Sequence, residues 1–136
     1  MKLGLIGLGE VAQLIHLPIL VRLGDLYELT AAYDPSPSVL DTVTRRWGIG
    51  RRHDTVEALI ADPEIEAVMV LSPDAYHGRH ARAALQAGKH VFVEKPSCLT
   101  RADLDALVAV AAGSDRTAMV GYMRRYAPAF RAAKAA

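Results

Sequence analysis

Short apolar stretches alternate with longer stretches of helical periodicity along almost the whole chain. This alternation is typical of repeated βαβ units and a parallel sheet. Right-handed crossovers between such units give an α/β fold, a doubly wound Rossmann sheet with the strand order 3-2-1-4-5-6. We predict strands over residues 2–6, 27–33, 51–53, 67–71, 90–94 and 117–121.

Helical periodicity fills the intervals between these strands. Glycines follow several of the periodic segments, as is typical of helix C-termini. Pro18 lies inside the first helix and should kink it, because it has no N–H and its ring crowds the carbonyl of Leu14. We predict helices over residues 11–23, 38–47, 55–61, 75–87 and 101–112, and a last helical segment over 128–136.

A glycine-rich turn follows the first strand. The pattern GxGxxA at Gly7, Gly9 and Ala12 allows a tight turn, an approach for a pyrophosphate without side-chain hindrance, and close packing of helix on sheet. The helix that follows directs its free N–H groups and the positive end of its dipole at the phosphates. A glycine-rich turn without a ligand is the alternative.

An acidic residue, Asp34, ends the second strand, roughly 20 residues after the turn, where a carboxylate can accept both ribose hydroxyls. Such an acid favours NAD over NADP, because it would repel a 2′-phosphate. The predicted cofactor contacts in this half of the site are Gly7, Gly9, Glu10, Val11, Ala12 and Asp34.

Polar residues also follow the fourth strand, and ligands of open α/β sheets bind beyond the carboxyl ends of the strands. Ser72 and Asp74 are expected to cap the next helix, with His77 in its first turn. The same residues are equally consistent with an ordinary capped helix that carries a surface histidine.

The segments after the fifth and sixth strands are charged. Lys95 could donate to a substrate oxygen or exchange a proton, while Glu94 could hold the nicotinamide ribose; the alternative is a salt-bridged turn. Arg124 and Arg125 follow the sixth strand. They could bind a phosphate or a sugar acid, or could be solvated arginines at the start of a helix.

Composition narrows the classes of function. With 16 Lys and Arg against 15 Asp and Glu, the net charge of +1 gives no field that would recruit nucleic acid. The chain has no basic-then-apolar leader and no apolar run of about 18 residues, so we expect no membrane partner and a cytoplasmic protein. The single cysteine, Cys98, excludes an internal disulfide. No metal site is expected.

Two strings, 87–96 (AGKHVFVEKP) and 121–130 (GYMRRYAPAF), together with the glycine turn, resemble the N-terminal domain of the glucose-fructose oxidoreductase, inositol dehydrogenase and rhizopine-catabolism (GFO/IDH/MocA) family. The resemblance implies that Glu94 and Lys95 lie by the nicotinamide, with Lys95 as the catalytic residue in substrate binding or proton transfer. It further implies cofactor-cleft positions for Ser72, Pro73 and His77. It places Arg124 and Arg125 near the substrate entrance, with Arg124 also among the cofactor-binding residues.

The resemblance also implies a division of the chain. Residues 1–122 would form the dinucleotide-binding domain, and residues 123–136 would begin the connection to a C-terminal substrate domain that this sequence lacks. We expect an NAD-dependent oxidoreductase that transfers hydride between nicotinamide and a polyol or sugar-like substrate, incomplete for catalysis on its own.

Other functions on the same domain stay open. One alternative is a non-catalytic NAD-sensing regulatory module, and another is a relative that reduces biliverdin-type substrates or cleaves glycosides. An exposed sheet edge and uncovered apolar surface would allow homo-oligomers.

Overall fold

The computed structural model describes residues 1–136. Its strands are β1 (Lys2–Ile6), β2 (Glu28–Tyr33), β3 (Arg51–Arg52), β4 (Ala67–Val70), β5 (His90–Val93) and β6 (Ala118–Val120). All adjacent pairs are parallel, and the order across the sheet is β3-β2-β1-β4-β5-β6. The predicted doubly wound sheet is confirmed, so the carboxyl ends of all strands meet at one edge.

Five helices connect successive strands, and a sixth follows β6. They are α1 (Leu17–Arg22), α2 (Pro37–Trp47), α3 (Val56–Ala61), α4 (Asp74–Gln86), α5 (Arg101–Ala112) and α6 (Pro128–Ala135), with a π-helical segment over Ala12–His16 and a 3₁₀ turn over Met123–Tyr126. None of the helices combines the length and apolar character needed to cross a membrane.

The first helix departs from the prediction of a single kinked α-helix over residues 11–23. Glu10 and Val11 begin the helix with α-helical geometry, a π-helical segment follows over Ala12–His16, and α-helical geometry resumes at Leu17, one residue before Pro18. Because proline has no N–H to donate and its ring crowds the preceding turn, the wider π turn accommodates it.

The apolar residues of the strands divide between two cores. Ile6, Val68 and Val70 pack with residues of α3, α4 and α5. Leu3, Leu5 and Met69 pack on the opposite face with residues of α1 and α2. Because successive residues of a strand point to opposite faces, the near-continuous apolar strands predicted for a parallel sheet supply both layers. Because both faces of the sheet are covered, the polar residues lie at the edge formed by the carboxyl ends of the strands.

Candidate functional site

The turn after β1 requires glycine at its first position. Gly7 has a φ of +92°, a region that side-chain-bearing residues rarely adopt. A Cβ on Gly7 would lie 2.8 Å from the carbonyl carbon and oxygen of Leu71. The backbone of this turn therefore packs directly on the backbone that follows β4.

Gly9, two residues on, borders open space. A Cβ built on Gly9 has no atom within 4 Å. The amides of Glu10 and Val11 have no acceptor within the chain, whereas that of Gln13 donates to the carbonyl of Gly9 over 3.1 Å. Free amides at a helix start together with an open approach are what a phosphate group needs, so the turn fits the pyrophosphate of a dinucleotide.

Asp34 is tied to the glycine turn through both of its carboxylate oxygens. Oδ2 accepts from the amide of Leu8 over 2.8 Å, and Oδ1 accepts from the amide of Ser36 over 2.9 Å. Each oxygen keeps a further lone pair. The carboxylate is thus held in place and can still accept hydrogen bonds from a pair of hydroxyls.

A cavity of about 580 Å³ opens between these elements. Ala12, the first residue of the π-helical segment, lies outside the cavity and is fully buried. The sequence-predicted residues that line the cavity are Gly7, Gly9, Glu10, Val11, Asp34, Ser72 and Pro73.

Three lining residues on α4 escaped the sequence analysis: Tyr76, Arg79 and His80. The Arg79 guanidinium carbon lies 5.2 Å from the centroid of the Tyr76 ring, and the His80 ring is nearly parallel to that ring at 5.7 Å. Their spacing of three and four residues places them on one helix face, which is the signal that could have revealed them.

His80 is held uncharged. Burial, and after it the positive charge of Arg79, lowers the pKa of His80 to about 4. Its Nε2 accepts from Arg79 Nη2 over 3.3 Å, and its Nδ1–H therefore donates to the Ser72 hydroxyl over 3.1 Å. The expectation that Ser72 and Asp74 cap α4 is wrong, because Pro73 is the N-cap and no side chain caps the helix.

His77 lies behind the cavity wall, with a relative exposure of 1%. Its two ring nitrogens contact two backbone carbonyls, those of Ser72 and Pro96. The structure therefore gives His77 internal partners at the cleft, and no surface for direct contact with a ligand.

Glu94 and Lys95 do not form a salt bridge with each other. Glu94 Oε1 accepts from His16 Nε2 over 2.8 Å, and its Oε2 accepts from the amide of Lys95 over 3.0 Å. No carboxylate lies within ion-pair distance of the exposed Lys95 ammonium group. The lysine charge is thus free for a ligand.

A second cavity, of about 450 Å³, has Lys95, Arg124 and Arg125 in its lining. The structure thereby brings together the charged residues that follow β5 and β6. Three cations without an acid among the lining residues favour a ligand rich in oxygen. No group of three or more His, Cys, Asp or Glu side chains is placed to hold a metal ion.

A family model described as an oxidoreductase family with an NAD-binding Rossmann fold, GFO/IDH/MocA, matches residues 1–122. The chain belongs to this family, and its Rossmann domain is an NAD-binding domain. This agrees with the fold and with the open glycine turn.

Several of the relatives are named dehydrogenases. The inositol 2-dehydrogenase of Acidothermus cellulolyticus is 36% identical, over 98% of this chain and 39% of that protein. A 1-carboxy-3-chloro-3,4-dihydroxycyclohexa-1,5-diene dehydrogenase of Comamonas testosteroni is 32% identical, over 93% of this chain and 31% of that protein. The chain thus spans well under half the length of these relatives.

A solved structure is also similar to this chain. The scyllo-inositol dehydrogenase of Lactobacillus casei, solved with bound NAD(H) and scyllo-inositol, superposes with a TM-score of 0.92 at 30% identity. The superposition covers 99% of this chain and 40% of that one.

Proposed function

We propose that this chain is the cofactor-binding part of an NAD-dependent dehydrogenase that acts on a polyol or sugar-like substrate. The observation that carries the proposal is the turn at Gly9, where open space and free amides meet a fixed carboxylate, Asp34. The relatives, which include inositol dehydrogenases, support the substrate class.

The cofactor would lie across the edge of the sheet. The free amides of Glu10 and Val11 would hold its pyrophosphate, and Asp34 would accept the hydroxyls of the adenosine ribose. A 2′-phosphate in that position would meet the Asp34 carboxylate, so we propose a preference for NAD over NADP. Ser72 and Pro73, which follow β4, would border the middle of the cofactor.

Lys95 is the proposed catalytic residue. NAD, when bound, supplies the hydride acceptor. The Lys95 ammonium group, unpaired and at the second cavity, would donate a hydrogen bond to the substrate oxygen and hold or exchange its proton. Glu94 would fix the Lys95 backbone through the bond that its Oε2 accepts. Arg124, in the same cavity, would orient an oxygen-rich substrate.

Full turnover would need more than the dinucleotide-binding domain. The named relatives are more than twice as long as the part this chain matches, and we propose that residues 123–136 lead from the Rossmann domain at 1–122 toward a substrate domain. The 136-residue chain should therefore bind cofactor and show little or no oxidation of inositol or glucose. Rapid turnover by the chain alone would contradict the proposal that a further domain is needed for turnover.

Cofactor preference tests the proposed site. Titration calorimetry with NADH and NADPH should give NADH binding at least about tenfold tighter, the equivalent of ~1.4 kcal/mol. Asp34→Ser should narrow this difference by improving NADPH binding, while Asp25→Ser, on the exposed segment before β2, serves as the matched control. Equal affinities of the wild type for NADH and NADPH would contradict the proposed role of Asp34.

A further inference from the structure

A buried histidine ring on α4 lies between an arginine and a serine at the cofactor cavity. His80 is 5% exposed, and its two ring nitrogens have different partners. Nε2 lies 3.3 Å from Nη2 of Arg79, and Nδ1 lies 3.1 Å from the hydroxyl oxygen of Ser72. Because Arg79 and Ser72 both line the cavity, the ring links two polar groups that can meet a ligand.

The contact with Arg79 determines which nitrogen of His80 carries the proton. A guanidinium group has only N–H donors, so Nε2 must be unprotonated to accept a hydrogen bond from it. An imidazole that is unprotonated at Nε2 carries its proton on Nδ1. A neutral ring also agrees with the pKa of His80, which burial, and after it the charge of Arg79, lowers to about 4.

Tyr76 holds both members of this contact in place. The Tyr76 and His80 rings are stacked, with centroids 5.7 Å apart and an interplanar angle of 12°. The guanidinium carbon of Arg79 lies 5.2 Å from the centroid of the same Tyr76 ring. No carboxylate lies within ion-pair distance of Arg79, so no acid competes with Nε2 of His80 for the guanidinium group.

The proton on Nδ1 of His80 decides what the Ser72 hydroxyl can do. Because Nδ1–H donates to the hydroxyl oxygen, the hydroxyl proton needs a different acceptor. His80 is the only hydrogen-bond partner of the Ser72 hydroxyl within the chain. Ser72 therefore presents a free O–H donor at the wall of the cavity.

This free donor lies beside the glycine turn. A Cβ built on Gly7 would lie 2.8 Å from the Cα of Ser72, and Gly9 borders the same cavity. The acceptor expected at the turn is the pyrophosphate of the cofactor, whose charged oxygens accept hydrogen bonds more strongly than neutral oxygens do. The pyrophosphate would thus meet the amides of Glu10 and Val11 on one side and the Ser72 hydroxyl on the side of β4.

We propose that Arg79 and His80 are positioning residues that set the Nδ1–H tautomer of His80 and thereby make Ser72 a hydrogen-bond donor to the cofactor pyrophosphate. In the opposite tautomer, Nδ1 would accept the hydroxyl proton, and Ser72 would have no proton to donate to the cofactor. The inference rests on the proposed function, which it deepens by two residues that act through Ser72.

The tautomer can be measured without any cofactor. Long-range ¹H–¹⁵N correlation spectra of the ¹⁵N-histidine-labelled chain, with His80→Gln to assign the signals, should show a protonated Nδ1 and an unprotonated Nε2 at neutral pH. Arg79→Met removes the donor and keeps a long side chain, so it should move the proton toward Nε2. A proton on Nε2 in the wild type, or an unchanged His80 spectrum in Arg79→Met, would overturn the proposal.

Titration calorimetry tests whether the tautomer serves the cofactor. Ser72→Ala should weaken NADH binding about tenfold in the wild type. In the Arg79→Met background it should weaken binding by less than about twofold, because Nδ1 then takes the hydroxyl proton. If Arg79 acted only by touching the cofactor itself, Ser72→Ala would cost the same in both backgrounds, and that result would overturn the proposal.

Two control variants match these substitutions. Arg82→Met changes another arginine of α4 that lines neither cavity, so Ser72→Ala should keep its full tenfold effect beside it. Ser114→Ala removes a hydroxyl that accepts from the amide of Arg116 away from the cavities and should not change NADH affinity. A loss of the Ser72 effect beside Arg82→Met would overturn the specific role of Arg79.

Fragments of the cofactor identify the acceptor. In NMR titrations, Ser72→Ala should weaken ADP binding about tenfold and leave adenosine binding within about twofold of the wild type. Equal weakening of both ligands would place the contact on the adenosine and overturn the assignment to the pyrophosphate. A wild type that binds NADH and ADP with no effect of Ser72→Ala would overturn this inference alone, whereas a wild type that binds neither would overturn the proposed function as well.

Discussion

His16 donates a hydrogen bond from Nε2 to Oε1 of Glu94 over 2.8 Å, across 78 residues of sequence. The side chains are only 14% and 12% exposed, and the His16 ring meets the Phe92 ring edge-on at 5.4 Å. The π-helical segment that ends at His16 is thereby joined to the residue that precedes Lys95. Single-turn π segments often occur at functional sites because they redirect a side chain.

A double-mutant cycle should measure this pair. His16→Gln, Glu94→Gln and the double variant, compared by urea unfolding, should give a coupling free energy of about 1–2 kcal/mol, because a partly buried bond to a carboxylate is stronger than an exposed one. Arg101→Gln and Asp105→Gln, an exposed i,i+4 pair with side chains 84% and 58% exposed, form the control cycle. Strictly additive effects for His16 and Glu94 would show that the pair contributes nothing.

Gly7 and Gly9 should respond differently to alanine, although they are two residues apart. Gly7→Ala places a Cβ 2.8 Å from Leu71 at a φ of +92°, so the free energy of unfolding should fall by about 3 kcal/mol. Gly9→Ala meets no atom within 4 Å and should change stability by less than about 0.5 kcal/mol. Chemical denaturation of the two variants tests this contrast, and equal losses would contradict the geometry of the turn.

His80 should make stability fall in mild acid. Its pKa in the folded chain, about 4 against an ordinary 6.5, is lowered, so the unfolded chain takes up the proton first as the pH falls below 6.5. Between pH 7 and 5 this group should cost on the order of 1–2 kcal/mol of unfolding free energy. His80→Gln should flatten that part of the pH–stability curve, measured by urea unfolding. A wild-type curve with the same slope as that of His80→Gln would show that the fold does not lower the pKa of His80.

The strand order follows from the pattern of apolar segments, because buried parallel strands and right-handed crossovers leave few arrangements. The strands at Lys2–Ile6 and His90–Val93 lie within one residue of the prediction. The roles of Gly7 and Asp34 could also be predicted from sequence. The role of Gly7 depends on backbone conformation, and that of Asp34 depends on its position at the end of a strand. These features are local or are fixed by topology.

The remaining contacts depend on how side chains meet across distant elements. His16 and Glu94 are far apart in sequence, and no local pattern aligns them. The sequence pattern is consistent with a surface histidine at His77, in the first turn of α4, but the packing of α4 on the sheet buries the side chain. Ser72 could be recognised as a polar residue after β4, but its bond to His80 depends on the rotation of the helix. Such contacts follow from tertiary packing.

The central claim is that the turn at Gly9 receives a dinucleotide, and NADH titration calorimetry of the wild type beside Gly9→Ala tests it most directly. The wild type should bind NADH. Gly9→Ala should keep its unfolding free energy and lose at least about tenfold in NADH affinity, because the new Cβ occupies the space in which the pyrophosphate approaches the amides of Glu10 and Val11. Unchanged NADH affinity in Gly9→Ala, or no binding to the wild type, would contradict the claim.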